Sequence, residues 1–364
     1  MTNDGAHWTA GRMQRLRAEL ESRGLAGLLI TDITNIRWAT GFTGSHAFAL
    51  VTPEEAWLAV DSRYTVQAQS ECPGMRLRHL TSSAADNLVE MLSELAVEEL
   101  AIESDRMTVA AFLDYEKRLE GKMRLRPESG LIRKLRLIKD DDELAHLRHA
   151  CRIVNHVFEC VCDSIVPGIS ERDLMLDLEW RIRKDHGAEI AFPSIAVSGP
   201  RSAMPHGQPS ERLIQPGDFV TLDFGARWRG YCSDITRTII IGPPDAAQQE
   251  VYGVVQAAQR NAVNAIKPGI AGKDIDAVAR EYIANAGYGD RFGHGLGHSI
   301  GLEVHDGPGL AATSDVVLEP GMVLTVEPGI YIPEWGGVRI EDDVLVTPDG
   351  HEALTQAEHD LIVL

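Results

Sequence analysis

Long apolar segments are absent from this 364-residue sequence, in which no run of 18 or more uncharged apolar residues occurs. A membrane-spanning helix needs such a run, so we expect no membrane span. The first 20 residues also lack the apolar core of a secretory signal. Basic residues are outnumbered by acidic ones, 35 to 54, which gives a formal net charge of −19. Because nucleic acids and anionic membranes repel such a surface, we predict neither as a partner.

Cysteine is also scarce, with five residues spread along the chain. Their number is odd, none forms a C-x-x-C motif, and Cys160 and Cys162 are too close in a helix-like segment to bridge each other. Such usage is typical of proteins kept in a reducing compartment. We therefore expect a reduced, cytoplasmic protein.

The chain is long enough for two domains, and its 44% hydrophobic and 24% charged residues are typical of globular proteins. Residues 1–130 alternate helical and extended patterns. The predicted helices cover 12–23, 85–95 and 108–119, and the predicted strands cover 27–31, 48–51, 56–60 and 100–103. This first part has no cluster of candidate ligands, and we interpret its isolated His46 and His79 as structural or surface residues.

A change in charge marks the predicted domain boundary. The basic stretch at 131–139, LIRKLRLIK, is followed at once by four acidic residues at 140–143. Acidic side chains favour the positive end of a helix dipole, so 140–143 fits the start of a helix. We predict an N-terminal domain at 1–130, a linker and helix start at 131–145, and a second domain at 146–364.

The second domain contains an internal repeat. The tripeptide Pro-Gly-Ile occurs at 167–169 and again at 268–270, each time between two long helical patterns. The segment PGDFVTLDFG at 216–225 also aligns with PGMVLTVEPG at 320–329. This alignment places Asp223 over Glu327, and a three-residue insertion then places Asp234 over Glu341. Two such halves predict a pseudo-twofold domain with its candidate ligands at the join.

Candidate metal ligands are concentrated in these repeated segments. Strand alternation in VTLDFG puts Thr221 and Asp223 on one face. Asp223 also ends an apolar strand, where a carboxylate needs a partner. Four carboxylates with His298 are a ligand set for two divalent cations, and carboxylate-rich ligation suits Mn²⁺, with Co²⁺ or Zn²⁺ as alternatives. A buried salt bridge is the structural alternative for a single carboxylate. The arginines that could form it are Arg227, Arg229, Arg237 and Arg339.

Over its whole length the chain resembles the pita-bread metallopeptidases, and among them the Xaa-Pro peptidases, aminopeptidase P and prolidase. Residues 1–130, with the run NIRW at 35–38 and TGFTG at 40–44, resemble the N-terminal domain that this family shares with creatinase. The resemblance implies an α/β (α+β) fold class, with a creatinase-like α/β domain followed by a pita-bread domain. It also implies five metal ligands, which are Asp223, Asp234, His298, Glu327 and Glu341.

The same resemblance implies roles for residues around the ligands. Glu327 would be both a ligand and the catalytic base. His206, in MPHGQ, and His305, in LEVHD, match histidines that handle protons and orient the substrate, and Arg339 matches the arginine of the substrate pocket. His294 and Tyr331 would contribute to substrate binding.

The resemblance implies hydrolysis of the bond between an N-terminal residue and proline in short peptides, with two divalent cations and a homodimeric enzyme. We take aminopeptidase P-like activity as the main interpretation. Xaa-Pro dipeptidase (prolidase) activity is the alternative, and a catalytically silent pita-bread binding protein is a further one. The complete ligand set argues against creatine hydrolysis, because creatinases lack it.

Overall fold

The computed structural model describes residues 5–81, 83–94 and 97–364. Contacts divide the chain into two compact units, with the boundary between Arg136 and Leu137. No helix in the described ranges combines the length and the apolar character that a membrane crossing requires.

The first unit is a mixed α/β structure around a six-stranded sheet with the strand order β4-β3-β2-β1-β5-β6. Its strands are β1 (Leu28–Ile30), β2 (Phe48–Val51), β3 (Ala56–Val60), β4 (Arg76–His79), β5 (Glu99–Glu103) and β6 (Arg124–Glu128). Its helices are α1 (Gly5–Ser22), α2 (Ile33–Thr40), α3 (Thr65–Glu71), α4 (Ala84–Glu94), α5 (Val109–Leu119) and α6 (Leu131–Leu137). Strands β1, β2 and β3 pair antiparallel, whereas the other three pairings are parallel.

The hairpin β2–β3 lies within the bounds predicted for it. Its turn is closed by the hydroxyl of Thr52, which accepts from the backbone N–H of Glu55 at 2.9 Å. The helix predicted from residue 12 begins earlier, at Gly5. The helix predicted at 85–95 corresponds to α4, and its last residue, Leu95, lies outside the described residues. Helix α2 has no counterpart among the predicted helices.

The second unit contains two helix–helix–strand halves. The first half has α7 (Asp141–Cys162), α8 (Glu171–His186), β7 (Glu189–Ile190), β8 (Ile195–Ser198), β9 (Phe219–Phe224), β10 (Ala226–Trp228), β11 (Tyr231–Cys232) and β12 (Ile235–Ile240). The second half has α9 (Ala246–Ala265), α10 (Gly272–Asn285), β13 (Val323–Val326), β14 (Gly329–Ile332), β15 (Gly336–Arg339), β16 (Asp342–Thr347) and β17 (Gly350–Ala353). Short 3-10 helices cover Gly199–Ala203 and Gly289–Arg291.

The acidic run at 140–143 forms the start of α7. Asp140 is the N-cap residue, and its side chain accepts from the amide of Glu143 at 2.9 Å. The side chain of Glu143 accepts from the amide of Asp140 in return, at 3.1 Å. This reciprocal capping box satisfies two backbone N–H groups that a helix end leaves without partners. The change in charge therefore marks a helix start, as the sequence predicts.

Matched backbone geometry relates the two halves. The glycines of the repeated Pro-Gly-Ile segments, Gly168 and Gly269, have φ values of +95° and +86°, in the region that favours glycine. Their amides donate to Ile214 O and Leu318 O, each at 2.8 Å. Strand β9 pairs antiparallel with β12, and β13 pairs antiparallel with β16. The internal repeat read from the sequence is therefore a structural repeat.

Each half also has its own apolar core. In the first half, Val154 and Leu178 of the helices pack with Leu222 of β9. In the second half, Val255 of α9 packs with Leu324 of β13 in the same manner. Asp223 near the end of β9 and Glu327 just after β13 are thus each attached to a strand that packs in an apolar core.

Candidate metal centre

Strand register brings carboxylates from both halves to one face. Asp223 on β9 lies opposite Thr236 on β12, and Thr236 forms an antiparallel bridge with Glu341. The amide of Glu341 donates to Thr236 O at 3.0 Å. Because directly opposite residues in a sheet share a face, these three side chains point the same way. The Thr236 hydroxyl donates to Glu341 Oε2 at 2.5 Å and orients that carboxylate.

Asp234 is the residue immediately before β12. Its amide donates to Asp343 Oδ2 at 2.9 Å, which ties the first half to β16 of the second half. The residue is only 5% exposed, and Glu341 only 2%. Among the described residues, Asp234 Oδ1 is a buried oxygen without a hydrogen-bond partner. Burial of such an oxygen is costly unless a hydrogen-bond donor or a cation binds it.

His298 is held against β13. Its amide donates to Thr325 Oγ1 at 3.0 Å, and its carbonyl accepts from Thr325 N at 2.8 Å. A Cβ at Gly297 would lie 1.9 Å from Thr325 O, and one at Gly309 would lie 2.4 Å from His298 Cα. The glycine content of this segment therefore allows backbones to approach, which places the His298 side chain among the carboxylates.

A cavity of roughly 420 Å³ opens over these groups. It is lined by Phe192, Ile195, Pro205, His206, Asp223, Asp234, His294, Gly295, Gly297, His298, Val304, His305, Glu327, Arg339 and Glu341. Every residue predicted for the site lines it except Tyr331, whose hydroxyl contacts His294 Nε2 at 2.9 Å. Ligand atoms of Asp234, His298 and Glu341 lie within 4.8 Å of one another.

The crowded carboxylates carry strongly perturbed pKa values. Burial, followed by the charge of Glu341, raises the pKa of Asp234 well above its usual range. Burial and the charge of Glu327 do the same to the pKa of Glu341. Burial raises the pKa of Glu327 to about 7. Four acidic groups in this space are therefore poised either to hold protons or to bind cations.

The histidine in this cluster is arranged as a ligand. His298 Nδ1 lies 3.3 Å from Ser299 O, and that contact requires the Nδ1–H tautomer. The other nitrogen, Nε2, then keeps its lone pair and lies 3.7 Å from Asp234 Oδ2 and 3.6 Å from Glu327 Oε1. Burial lowers the pKa of His298 to about 4, which favours the neutral form that binds metals. With the unpartnered Asp234 oxygen, this donor set fits a divalent cation.

Arg339 forms the ion pair that was the structural alternative. Its Nη2 donates to Asp223 Oδ2 at 2.5 Å, and its Nε donates to Thr236 Oγ1 at 3.1 Å. Burial raises the pKa of Asp223, while the Arg339 charge opposes the rise. Arg237, another candidate, donates instead to Asp342 Oδ1 at 2.8 Å. One of the four carboxylates is thus paired with an arginine.

The remaining predicted residues surround this centre. Arg339 Nη1 donates to the Tyr331 hydroxyl at 3.0 Å. His294 Nδ1 lies 2.8 Å from Gly295 O, so Nδ1 carries the proton and Nε2 accepts from Tyr331. His206 and His305 are exposed residues of the cavity lining, and the His305 ring centroid lies 4.2 Å from that of His298.

Several residues of the site have no signal in the sequence. Phe192, Ile195 and Val304 form an apolar wall of the cavity. Asp343 orients Asp234, and Thr325 contacts Glu327 Oε1 at 3.3 Å as well as His298. An isolated apolar residue outside any motif is an ordinary feature of a sequence. Only the known positions of its neighbours show that such a residue lines a cavity.

The comparisons with known proteins give the class. The family model described as metallopeptidase family M24 matches residues 145–348. The model described as the creatinase/prolidase N-terminal domain matches residues 12–138. The chain therefore belongs to metallopeptidase family M24 and carries this N-terminal domain. The resemblance to pita-bread metallopeptidases and the fold class predicted from the sequence are confirmed.

Relatives match nearly the whole chain. The solved structure titled Xaa-Pro dipeptidase from Bacillus anthracis has a TM-score of 0.94 and 43% identity, and covers 98% of this chain and 100% of that one. The X-Pro aminopeptidase structure from Thermotoga maritima has a TM-score of 0.89 and 36% identity, and covers 97% and 100%. The Xaa-Pro dipeptidase of Pyrococcus horikoshii is 35% identical, over 96% of this chain and 98% of its own.

Proposed function

We propose that this metallopeptidase is an Xaa-Pro dipeptidase. The observation that carries the proposal is the cavity in which Asp223, Asp234, Glu327, Glu341 and His298 meet. Relatives named Xaa-Pro dipeptidase from Pyrococcus and Bacillus support the substrate class. These names favour the dipeptidase alternative over the aminopeptidase P-like activity taken as the main interpretation of the sequence.

Those five residues would hold two divalent cations, with Mn²⁺ as the preferred ion for a carboxylate-rich set. When bound, such ions polarise a carbonyl and lower the pKa of water. Arg339, by pairing with Asp223, fixes a carboxylate that would hold one of these ions. The Thr236 hydroxyl fixes Glu341 in the same way.

Protons are handled by Glu327, His206 and His305 in this proposal. Burial raises the pKa of Glu327 to about 7 in the protein without bound cations. With cations bound, its ionised carboxylate would accept a proton during hydrolysis and return it to the leaving amine. His206 and His305 line the cavity and would hold a proton or a hydrogen bond at the scissile amide. Since proline offers no amide N–H, its ring has to be recognised by shape. Phe192, Ile195 and Val304 supply apolar surface for that ring.

Substrate orientation would involve three further groups. The chain from Arg339 through Tyr331 to His294 is fixed by hydrogen bonds of 3.0 and 2.9 Å. It thereby presents a positive guanidinium and an ordered imidazole at one side of the cavity. We propose that these groups bind the peptide on the side of the cavity next to Asp223, with which Arg339 is paired.

Aminopeptidase P-like activity is the second candidate, since a relative named X-Pro aminopeptidase matches over 97% of the chain. Matched peptides with and without a residue after proline, offered with Mn²⁺, distinguish the two. A dipeptidase turns over Ala-Pro and leaves Ala-Pro-Ala intact. Faster cleavage of Ala-Pro-Ala would replace the proposal by its alternative, and cleavage of neither would refute both. A homodimer and a cytoplasmic location stay predictions from the sequence.

A further inference from the structure

The loop that carries His206 is anchored by the carboxylate of Glu171, which takes no part in the proposed reaction. Glu171 is the first residue of α8 and is fully buried, at 0% exposure. A buried carboxylate is costly unless charge or hydrogen bonds compensate it. The positive end of the α8 dipole stabilises the negative charge of Glu171. The hydrogen bonds of its side chain, however, come from residues outside the helix.

Both carboxylate oxygens of Glu171 accept from the two ends of that loop. Oε1 accepts from Ser198 N at 2.8 Å and from Ser198 Oγ at 2.9 Å. Oε2 accepts from Ser210 N at 3.0 Å, from Ser210 Oγ at 2.7 Å and from Arg201 Nε at 2.9 Å. One side chain therefore joins residues 198, 201 and 210, with His206 between them.

Arg201 extends this anchor towards the histidine. Its Nη2 donates to Gln208 O at 2.5 Å, so Arg201 bridges Glu171 and the segment just after His206. On the near side of the histidine, Pro205 O accepts from Arg339 Nη1 at 3.2 Å, and Gly207 N donates to Met204 O at 3.0 Å. These contacts fix the backbone on both sides of an otherwise exposed imidazole.

The other half of the unit shows that the backbone alone does not require this carboxylate. Glu171 N donates to Arg212 O at 3.0 Å, and its repeat-equivalent, Gly272 N, donates to Val316 O at 2.7 Å. The same helix start is thus built with a glycine, which has no side chain. In that half, the segment carrying His294 is held differently, since Arg280 Nη2 donates to His294 O at 2.7 Å.

We propose that Glu171 is a positioning residue for His206, acting through Arg201 and the two ends of the loop at 198–210. This inference rests on the proposed role of His206 in Xaa-Pro hydrolysis. Glu171 touches no group of the cavity lining and acts on the reaction only by placing the imidazole.

The test compares Glu171→Gln with a matched control, Arg172→Gln. Arg172 is the next residue and forms an exposed ion pair with Glu211 at 2.6 Å. In Glu171→Gln the amide NH₂ would face donors, and the charge that holds Arg201 is lost. We expect hydrogen–deuterium exchange at 198–210 to become faster in Glu171→Gln, with the metal content unchanged. Arg172→Gln should match the wild type in both measurements.

A kinetic cycle with His206→Ala separates positioning from a general loss of structure. We expect Glu171→Gln to lower kcat on Ala-Pro by up to about 100-fold, with KM within about twofold of the wild type. Added to His206→Ala, it should cost nothing further, because no imidazole is left to position. If Glu171→Gln does not fold, Arg201→Lys takes its place in both measurements, because it breaks the contact to Gln208 O.

Three results would overturn the inference. They are wild-type exchange at 198–210 in the folded variant, losses that multiply in the double variant, and an unchanged kcat in His206→Ala. Wild-type protein without turnover of any Xaa-Pro peptide would instead refute the proposed function. In that case the exchange measurement decides alone whether Glu171 orders the loop.

Discussion

In the second unit, the first half contributes Asp223 and Asp234 to the cavity lining, and the second half contributes Glu327 and Glu341. The backbones that carry them are matched, from the glycine turns to the antiparallel strand pairs. The side chains around these carboxylates, in contrast, differ between the two halves. His298 and Arg339 both come from the second half, and Arg339 pairs with Asp223 of the first. A symmetric frame thus presents a symmetric set of carboxylates, and asymmetric neighbours then give each carboxylate a different environment.

The comparison is tested most severely by removing one buried carboxylate from each half. We expect Asp234→Ala and Glu341→Ala each to abolish both bound metal and turnover, because the family resemblance implies that both cations would share each of these two carboxylates. His298→Ala should do less harm, since it removes a ligand of one ion. Elemental analysis and turnover of Ala-Pro measure the two effects. Asp234→Ala protein with wild-type metal content would contradict the equivalence of the halves.

The positions of these carboxylates along the chain could be read from the sequence because a repeat carries them. The segments at 216–225 and 320–329 align residue by residue, and the structure gives them the same strand pairing. Hairpin β2–β3 is predictable from the sequence for a similar reason, since two short apolar runs flank a recognisable turn. Patterns of this kind depend on neighbours in sequence.

Other features depend on contacts between distant segments, and no local pattern predicts them. The Arg339–Asp223 pair joins residues 116 positions apart, and the Asp234–Asp343 contact spans 109. From the sequence, Arg339 was only one of several possible partners for a buried carboxylate. Helix α2 was missed because its eight residues are too few for a clear periodicity, although Asp32 caps it by accepting from Asn35 N at 2.9 Å.

One proposed proton-handling histidine comes from each half, and their removal ranks next in expected effect. His206→Ala and His305→Ala should each lower kcat on Ala-Pro by about 10²–10⁴ while leaving the bound metal unchanged. His149→Ala is the control, because that ring packs on Trp228 at 4.4 Å outside the cavity lining. If either cavity variant loses its metal, the residue is a ligand and the assignment of roles between the halves is wrong.

The pH dependence of the metal-free protein should reveal the crowding of the carboxylates. Burial raises the pKa of Glu327 from 4.5 to about 7, so the folded state holds a proton that the unfolded state releases. Stability should therefore fall as pH rises from about 4.5 to about 7, by roughly 3 kcal/mol from this group. Thermal unfolding at several pH values measures the slope.

A variant and an added ion sharpen this measurement. Glu327→Gln cannot release the proton and should show a flatter slope than the wild type over the same range. Mn²⁺ should stabilise the wild type more at pH 7 than at pH 5, because it binds the deprotonated carboxylates. A metal-free wild type whose slope equals that of Glu327→Gln would contradict the raised pKa.

The smallest effect tests the symmetry of the backbone itself. A Cβ at Gly168 or Gly269 would meet no heavy atom within 4 Å, so alanine at either position costs only the strain of a positive φ. We expect Gly168→Ala and Gly269→Ala to lower the free energy of unfolding equally, by about 1–2 kcal/mol each. Thermal unfolding of both variants, with the metal bound, provides the comparison. Clearly unequal losses would show that the two turns are not equivalent.

The central claim is that two matched halves assemble one metal-dependent hydrolytic centre. Its most direct test is to strip the protein of metal, add Mn²⁺ in steps, and follow turnover of Ala-Pro together with bound Mn²⁺. Turnover should be absent in the stripped protein and should rise to its maximum as the second equivalent of Mn²⁺ binds. Full turnover in protein that elemental analysis shows to be free of metal would contradict the claim.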